Sequence, residues 1–428
     1  MILVDTVLKK REKNGNPIRV GIIGAGAMSR GLINQITNYT PGMLVVATFN
    51  RSLEKPKNLY KDVGLDDYII AETKTDFQNA IDSKTPIITQ NIDFLIESDS
   101  IDILVDMTGS IHFSTKLAID AFNNKKDLLS FNAELDATIG PLLKYKADKA
   151  GVNYSIADGD QPGVTINLYR FVKSMGFKPL LCGNIKGLQD HYRNPTTQKS
   201  FAAQWEMTPE MVTSFADGTK MSIEQACIAN ATGMKVAQRG MYGYYTDKHI
   251  DDIKDLYDLE ELKELGGIVD YVVGAKPGPG VYIYATTEDP ISAKYLKYGK
   301  LGEGPLYSFY TPYHLLFFEM PNSIVRMVDF NDTIITAKSG PVVEVIAVAK
   351  IDLKKGDLID GMGGYKTFGT SENTDISRKE NLLPMGLAEG CTVIKDVPKD
   401  QVLTFDDVEF PQGRQIDALW EEQFNLFK

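Results

Sequence analysis

One short run constrains this chain more than any other: Arg19-Val20-Gly21-Ile22-Ile23-Gly24-Ala25-Gly26-Ala27-Met28-Ser29. Val20, Ile22 and Ile23 form the β-branched run of a strand covered on both faces. Gly24 permits a sharp turn. Gly26 has no Cβ, so a pyrophosphate can approach the backbone at a helix N-terminus. Met28, Leu32 and Ile36 then recur at helical spacing. A second strand, Leu44 to Phe49, completes a βαβ unit. Ser29 stands where a third glycine is usual, and Gly31 is placed to take over its packing role.

The end of the second strand bears on cofactor choice. An acidic residue there normally meets the ribose 2′-hydroxyl of NAD. This chain has Asn50-Arg51-Ser52, with Lys55 and Lys57 close by. Arg51 can pair with a 2′-phosphate, so NADP(H) is expected ahead of NAD(H). The dinucleotide contacts expected are Gly24, Gly26, Ala27, Met28, Asn50, Arg51, Thr108, Gly109 and Asn132.

Composition excludes several classes. The 428 residues are 43% hydrophobic and 24% charged, with a formal net charge of −11. That balance suits a soluble globular chain and argues against a nucleic-acid or anionic-membrane surface. No long apolar run or signal-peptide pattern is seen. Cys182, Cys227 and Cys391 are odd in number and far apart, which suggests reduced thiols and a cytoplasmic protein.

Strand and helix alternate over residues 1–160, which predicts a doubly wound parallel sheet. Residues 161–337 read as an α+β substrate and oligomerisation domain whose last helix is able to pack back on the first domain. There, Ser222 to Gln225 reads as a capping box, and Thr311-Pro312 opens a helix through Phe318 that ends before Pro321. The chain is expected to form a homodimer or higher homo-oligomer. Residues 338–428 read as a small β-rich domain with a weak repeat, Asp352–Asp360 matching Asp396–Thr404.

The strand ends of such a sheet face a ligand crevice. Glu134, Asp158 and Asp160 fall at neighbouring strand ends, a set suited to a divalent metal or to acid and base roles. Lys186 sits between glycines near the end of a strand and is the expected catalytic cation, with Glu134 and Asp160. Arg193, Asn194, Thr196 and Thr197 follow in a run rich in donors, suited to a phosphate or polyol; Lys220 is a second cation.

Several stretches together resemble the 1-deoxy-D-xylulose 5-phosphate reductoisomerase-like (DXR-like) family. They are Met1-Ile2-Leu3-Val4-Asp5, the glycine turn, Asn132 through Pro141, Gly159-Asp160-Gln161-Pro162-Gly163, Gly183 through Gln198, Ser214 through Lys220, and Pro312-Tyr313-His314-Leu315. The resemblance implies two domains like those of homoserine dehydrogenases and a C-terminal SAF domain. It also implies NADPH, a divalent ion (Mg or Mn) and a small phosphorylated keto sugar, with formation of 2-C-methyl-D-erythritol 4-phosphate in isoprenoid biosynthesis. Two other readings stay open: a homoserine-dehydrogenase-like enzyme without isomerisation, and a non-catalytic dinucleotide-dependent sensor.

Overall fold

A computed structural model describes residues 3–205 and 207–428; Met1, Ile2 and Glu206 lie outside the described residues, and with Met1 and Ile2 the start of the motif quoted above. The chain divides into two compact units. The first comprises Met1–Ala133, Leu142–Asp160 and Leu315–Thr336; the second comprises Glu134–Pro141, Gln161–His314 and Ala337–Lys428. Against the expected limits of 160/161 and 337/338, two inner segments thus exchange sides, and the C-terminal segment groups with the middle of the chain.

In the first unit the described strands are β1 (Ile18–Ile23), β2 (Met43–Phe49), β3 (Ile69–Ala71), β4 (Ile87–Thr89), β5 (Ile103–Asp106), β6 (Asp127–Ser130) and β7 (Tyr154–Ile156). They form one parallel sheet in the order β3-β4-β2-β1-β5-β6-β7. All are short, and apart from the half-buried edge strand β3 and the exposed Leu44 of β2 they are mostly buried, as strands covered by helices on both faces must be. The strand order reverses between β1 and β5, so the crevice opens at their C-terminal ends.

Helix Ala27–Tyr39 buries Ser29, Leu32, Ile33 and Ile36, one face at i, i+3, i+4 and i+7 spacing. Gly31 does not pack on a strand, as expected from sequence. A Cβ there would stand 2.4 Å from the ring of Phe317, so this glycine makes room for an aromatic side chain. The expected helix Thr311–Phe318 is also corrected. Thr311 ends a strand, Leu316–Phe318 is a 3₁₀ turn, and the α-helix is Met320–Phe330. Pro321 lies in its first turn, where a missing N–H costs nothing, and so opens the helix rather than stopping the one before.

The second unit has a mixed sheet of β8 (Lys178–Lys186), β9 (Tyr244–Tyr245), β10 (Ile268–Val273), β11 (Gly280–Thr286) and β12 (Tyr307–Thr311), ordered β12-β11-β8-β10-β9. β8 runs parallel to β10 and antiparallel to β11. Helices Gln161–Ser174 and Thr219–Thr232 pack on it. Ser222 is not a cap: Gly218, in left-handed conformation, precedes the helix, and Ser222 is inside it.

A hairpin of β13 (Val343–Ala349) and β14 (Thr367–Asn373) lies against helix Thr219–Thr232. The repeat seen in the sequence pairs with itself. Leu353 N–H donates to Val397 O at 2.8 Å, and Val397 N–H returns a bond to Leu353 O at 3.0 Å. Asp352 accepts from Lys399 N at 2.9 Å, and Asp396 accepts from Lys355 N at 3.0 Å. The two copies are thus related by a local two-fold.

Asp270 on β10 is fully buried beside a group of tyrosines and accepts from Tyr242 N and Gly243 N at 3.1 and 3.0 Å. Burial pushes its carboxyl from 3.8 up to about 6. Between those values the folded chain holds a proton that the unfolded chain releases. Its contribution therefore falls as pH rises through 4 to 6 and is constant above that, a swing of about 3 kcal/mol. Asp270→Asn is expected to gain stability relative to wild type over that window. Denaturant melts of both proteins at pH 4 and 6.5 check it; parallel pH profiles refute it.

Candidate active site

In the first unit, Gly24 has a φ of +105°, and a Cβ there would lie 3.2 Å from Met107 O and from Thr108 Cγ2. Only glycine lets β1 turn this close to the end of β5. Gly26 caps helix Ala27–Tyr39, and a Cβ there would meet nothing within 4 Å. Gly26 is exposed at the positive end of the helix that Ala27 and Met28 begin, where an anion fits. A polar chain runs along the strand ends. Asn132 Nδ2 donates to Ser114 Oγ at 3.1 Å, Ser114 lies 3.0 Å from Thr108 Oγ1, and Thr108 Oγ1 donates to Asp106 at 2.7 Å. Thr108, expected at the cofactor, thus spends its hydroxyl proton on Asp106, whose carboxyl is pushed up by burial. Gly109 is open to solvent space. Asn50 folds its amide onto Ser52 O at 2.8 Å. Arg51 is exposed, and among the described residues its guanidinium has no hydrogen-bond or ion-pair partner.

Asp158 and Asp160 lie in the first unit, Glu134 in the second. Asp158 faces Arg326 at 3.5 Å, and Glu134 faces Lys220 at 3.4 Å. Among the described residues no group of three or more His, Cys, Asp or Glu side chains is set to hold a metal ion. The expected metal triad is corrected accordingly: two of its carboxylates are held by cations of their own.

The second unit carries a polar cluster on β8 and on the starts of three helices. Asn184 and Lys186 are two apart on β8 and share a face. Gln161 Oε1 accepts from Asn184 Nδ2 at 2.7 Å and from Lys186 Nζ at 3.1 Å. Glu224 Oε2 accepts from Asn184 Nδ2 at 3.2 Å and lies 3.5 Å from Lys186 Nζ. Asn184 and Gln161 are buried, and Glu224 is 3% exposed. Lys186 alone reaches outward, with 16% of its side chain exposed. Beside it stands the Lys220–Glu134 pair. Cys227 is pushed well above the usual thiol range, chiefly by burial and then by the charge of Asp136. It is therefore a protonated packing residue, not a nucleophile.

Gly183 does not clear a path to a ligand, as its place beside Lys186 suggested. A Cβ there would overlap the ring of Tyr282 at 2.3 Å. Asn194 and Thr197 are occupied in a reciprocal cap of helix Pro195–Gln204, with Asn194 Oδ1 accepting from Thr197 N at 3.1 Å. Thr196 meets the Tyr365 hydroxyl at 2.9 Å, and Arg193 pairs with Asp190 at 3.0 Å. Sequence reasoning missed Gln161, Asn184 and Glu224. A signal existed: Lys220, Glu224 and Cys227 fall at i, i+4 and i+7 on one helix face.

Residues 159–320 match the family described as Oxidoreductase DRL, catalytic domain. No curated protein matches the chain in sequence. Solved structures of similar fold include scyllo-inositol dehydrogenase from Lactobacillus casei, 11% identical over 76% of this chain and 91% of that one, TM-score 0.44. The same enzyme with bound NAD(H) and scyllo-inositol is 11% identical over 76% and 92%, TM-score 0.42. A myo-inositol dehydrogenase from Corynebacterium glutamicum ATCC 13032 is 11% identical over 64% and 65%, TM-score 0.34. The family resemblance drawn from the sequence is thereby corrected. The family model that matches is that of the DRL oxidoreductases, not that of the deoxyxylulose phosphate reductoisomerases. The associated homoserine-dehydrogenase, SAF and isoprenoid assignments go with it. Among the described residues no helix is long and apolar enough to cross a membrane.

Proposed function

We propose that this chain is a nicotinamide-dinucleotide-dependent oxidoreductase acting on a small hydroxylated carbonyl compound of the sugar or polyol kind, with NADP(H) preferred. The observation that carries the reading is the Lys186–Gln161–Glu224–Asn184 cluster, buried but for one lysine, inside the segment that matches an oxidoreductase catalytic domain. The open glycine turn of the first unit supports a dinucleotide. That cofactor, when bound, supplies or takes the hydride.

The residues of the chain handle the rest. As a carbonyl carbon gains hydride, charge grows on its oxygen. Lys186 donates a proton to that oxygen, and its exposed end lets water restore it. Gln161 and Glu224 hold the ammonium in place. Lys220, paired with Glu134, is a second donor for a hydroxyl of the substrate. The test is a screen of ketoses, polyols and their phosphates for dinucleotide turnover, with products identified by NMR. Dinucleotide binding without turnover of any of them would favour a sensor instead.

Arg51 supports the NADP(H) preference, being exposed and available to a 2′-phosphate through two N–H bonds. A charge-assisted bond of this kind contributes about 1.5–3 kcal/mol. Arg51→Ala is therefore expected to weaken NADPH binding by roughly 10- to 100-fold and to leave NADH binding unchanged. Fluorescence titration of both cofactors measures it. Equal wild-type affinities would remove the preference.

A further inference from the structure

Lys350 follows β13 in the C-terminal segment and is 3% exposed. Its Nζ donates to Arg193 O at 2.8 Å, to Gly364 O at 2.8 Å and to Asp217 Oδ2 at 2.9 Å. An ammonium has three protons, so each is used. Asp217 is itself fully buried, and its other oxygen accepts from Thr219 N at 2.9 Å. Thr219 opens the helix that carries Lys220 and Glu224. One buried side chain thus ties the backbone of Arg193 and the start of that helix to the C-terminal hairpin.

Other contacts grip the same loop. Tyr192 donates to Asp400 at 2.9 Å, and Lys399 lies 3.6 Å over the Tyr192 ring. His191 stacks on Phe368 with centroids 4.4 Å apart. Stability alone is a weak reason for such a pair, because a well-packed apolar pair often does as well without desolvating two charges. What an apolar pair lacks is direction: three bonds fix two backbone segments at set angles.

The geometry points to Lys350 as a positioning residue for the substrate half of the site, setting the Arg193 loop and the helix start that bears Lys220. The inference rests on the reading above that Lys220 faces the substrate, and on the sequence-based expectation that the Arg193 loop does. It also moves the C-terminal segment from a bystander to a part of the site, against the sequence-based expectation of a separate domain.

The experiment compares wild type with Lys350→Met and with Lys350→Met/Asp217→Asn, which leaves no unpaired buried charge if the single variant folds poorly. Amide hydrogen exchange at residues 190–194 and 217–221 is expected to quicken at least tenfold in the double variant, while β8 keeps its protection. With the sugar or polyol that wild type turns over, KM is expected to rise at least tenfold and kcat to stay within about threefold. Exchange that is unchanged at both segments overturns the clamp, whether or not the chain binds a dinucleotide. A lower melting temperature with uniformly faster exchange and an unaltered KM overturns the positioning role and leaves a structural one. Failure of wild type to bind either dinucleotide overturns the functional reading alone, since the exchange result does not depend on it.

Discussion

Lys186→Met is expected to lower turnover by ~10²–10⁴-fold, the range for loss of a positioned proton donor. Dinucleotide affinity should not change, because the glycine turn and Arg51 belong to the other unit. Stability is a separate matter. Glu224 is 3% exposed, and without the ammonium it keeps the amide of Asn184 at 3.2 Å as a hydrogen-bond donor. Losing the ion pair at 3.5 Å there costs about 2 kcal/mol. Lys186→Met/Glu224→Gln removes the carboxylate's charge along with the lysine's. The double variant should recover much of the melting temperature and none of the turnover. Steady-state rates and thermal melts of the three proteins decide it. If the double variant regains turnover, Lys186 serves only to neutralise Glu224, and the proton donor must be sought at Lys220.

Gly159→Ala is expected to be the most destabilising single substitution of those considered, at ~4 kcal/mol or more. Gly159 has a φ of +87°, and a Cβ there would stand 1.8 Å from Leu316 O and 2.6 Å from its carbonyl carbon. Neither is the movable end of a side chain. The same two residues are joined by a bond from Leu316 N to Gly159 O at 2.8 Å, so backing away also breaks a hydrogen bond. Gly109→Ala is the control, since its φ is not positive and its added methyl meets nothing within 4 Å. Denaturant unfolding of both variants gives the comparison. A loss at Gly159 no larger than at Gly109 would mean that the turn relaxes freely.

The parallel sheet was legible because its strands are buried on both faces and so read as unbroken apolar runs, with the glycine turn marking where the first strand ends. The site was less so. Helix Thr219–Thr232 is buried nearly all round, so it shows no amphipathic stripe, and Glu224 lay hidden inside the stretch Ser222 to Gln225 read as a capping box. Lys186 stood out as a cation between glycines, yet Gly183 answers to Tyr282, so part of that signal reports packing. Asn194 and Thr197 show the reverse case. Their donor chemistry suited a ligand, but the same atoms also suit a helix start, and local capping is satisfied first. Pro321 marked a helix boundary correctly and the wrong side of it. Proline both ends and begins helices, and only the residues around it distinguish the two.

The late return of residues 315–336 to the first unit has a consequence for synthesis. Met320, Ile324, Val325 and Met327 share a core with Val20 and Ile22, and Ile335 pairs with the outer edge strand at Ile156. A nascent chain that has emerged through Asp160 therefore has every strand of its parallel sheet and an unfinished interior. That interior stays open on the ribosome until Thr336 is clear, by which point all of Gln161–His314 has already been made. The two units are thus interleaved in synthesis: the first is begun first yet waits for the middle of the second to be made, and the second is finished last, with Ala337–Lys428.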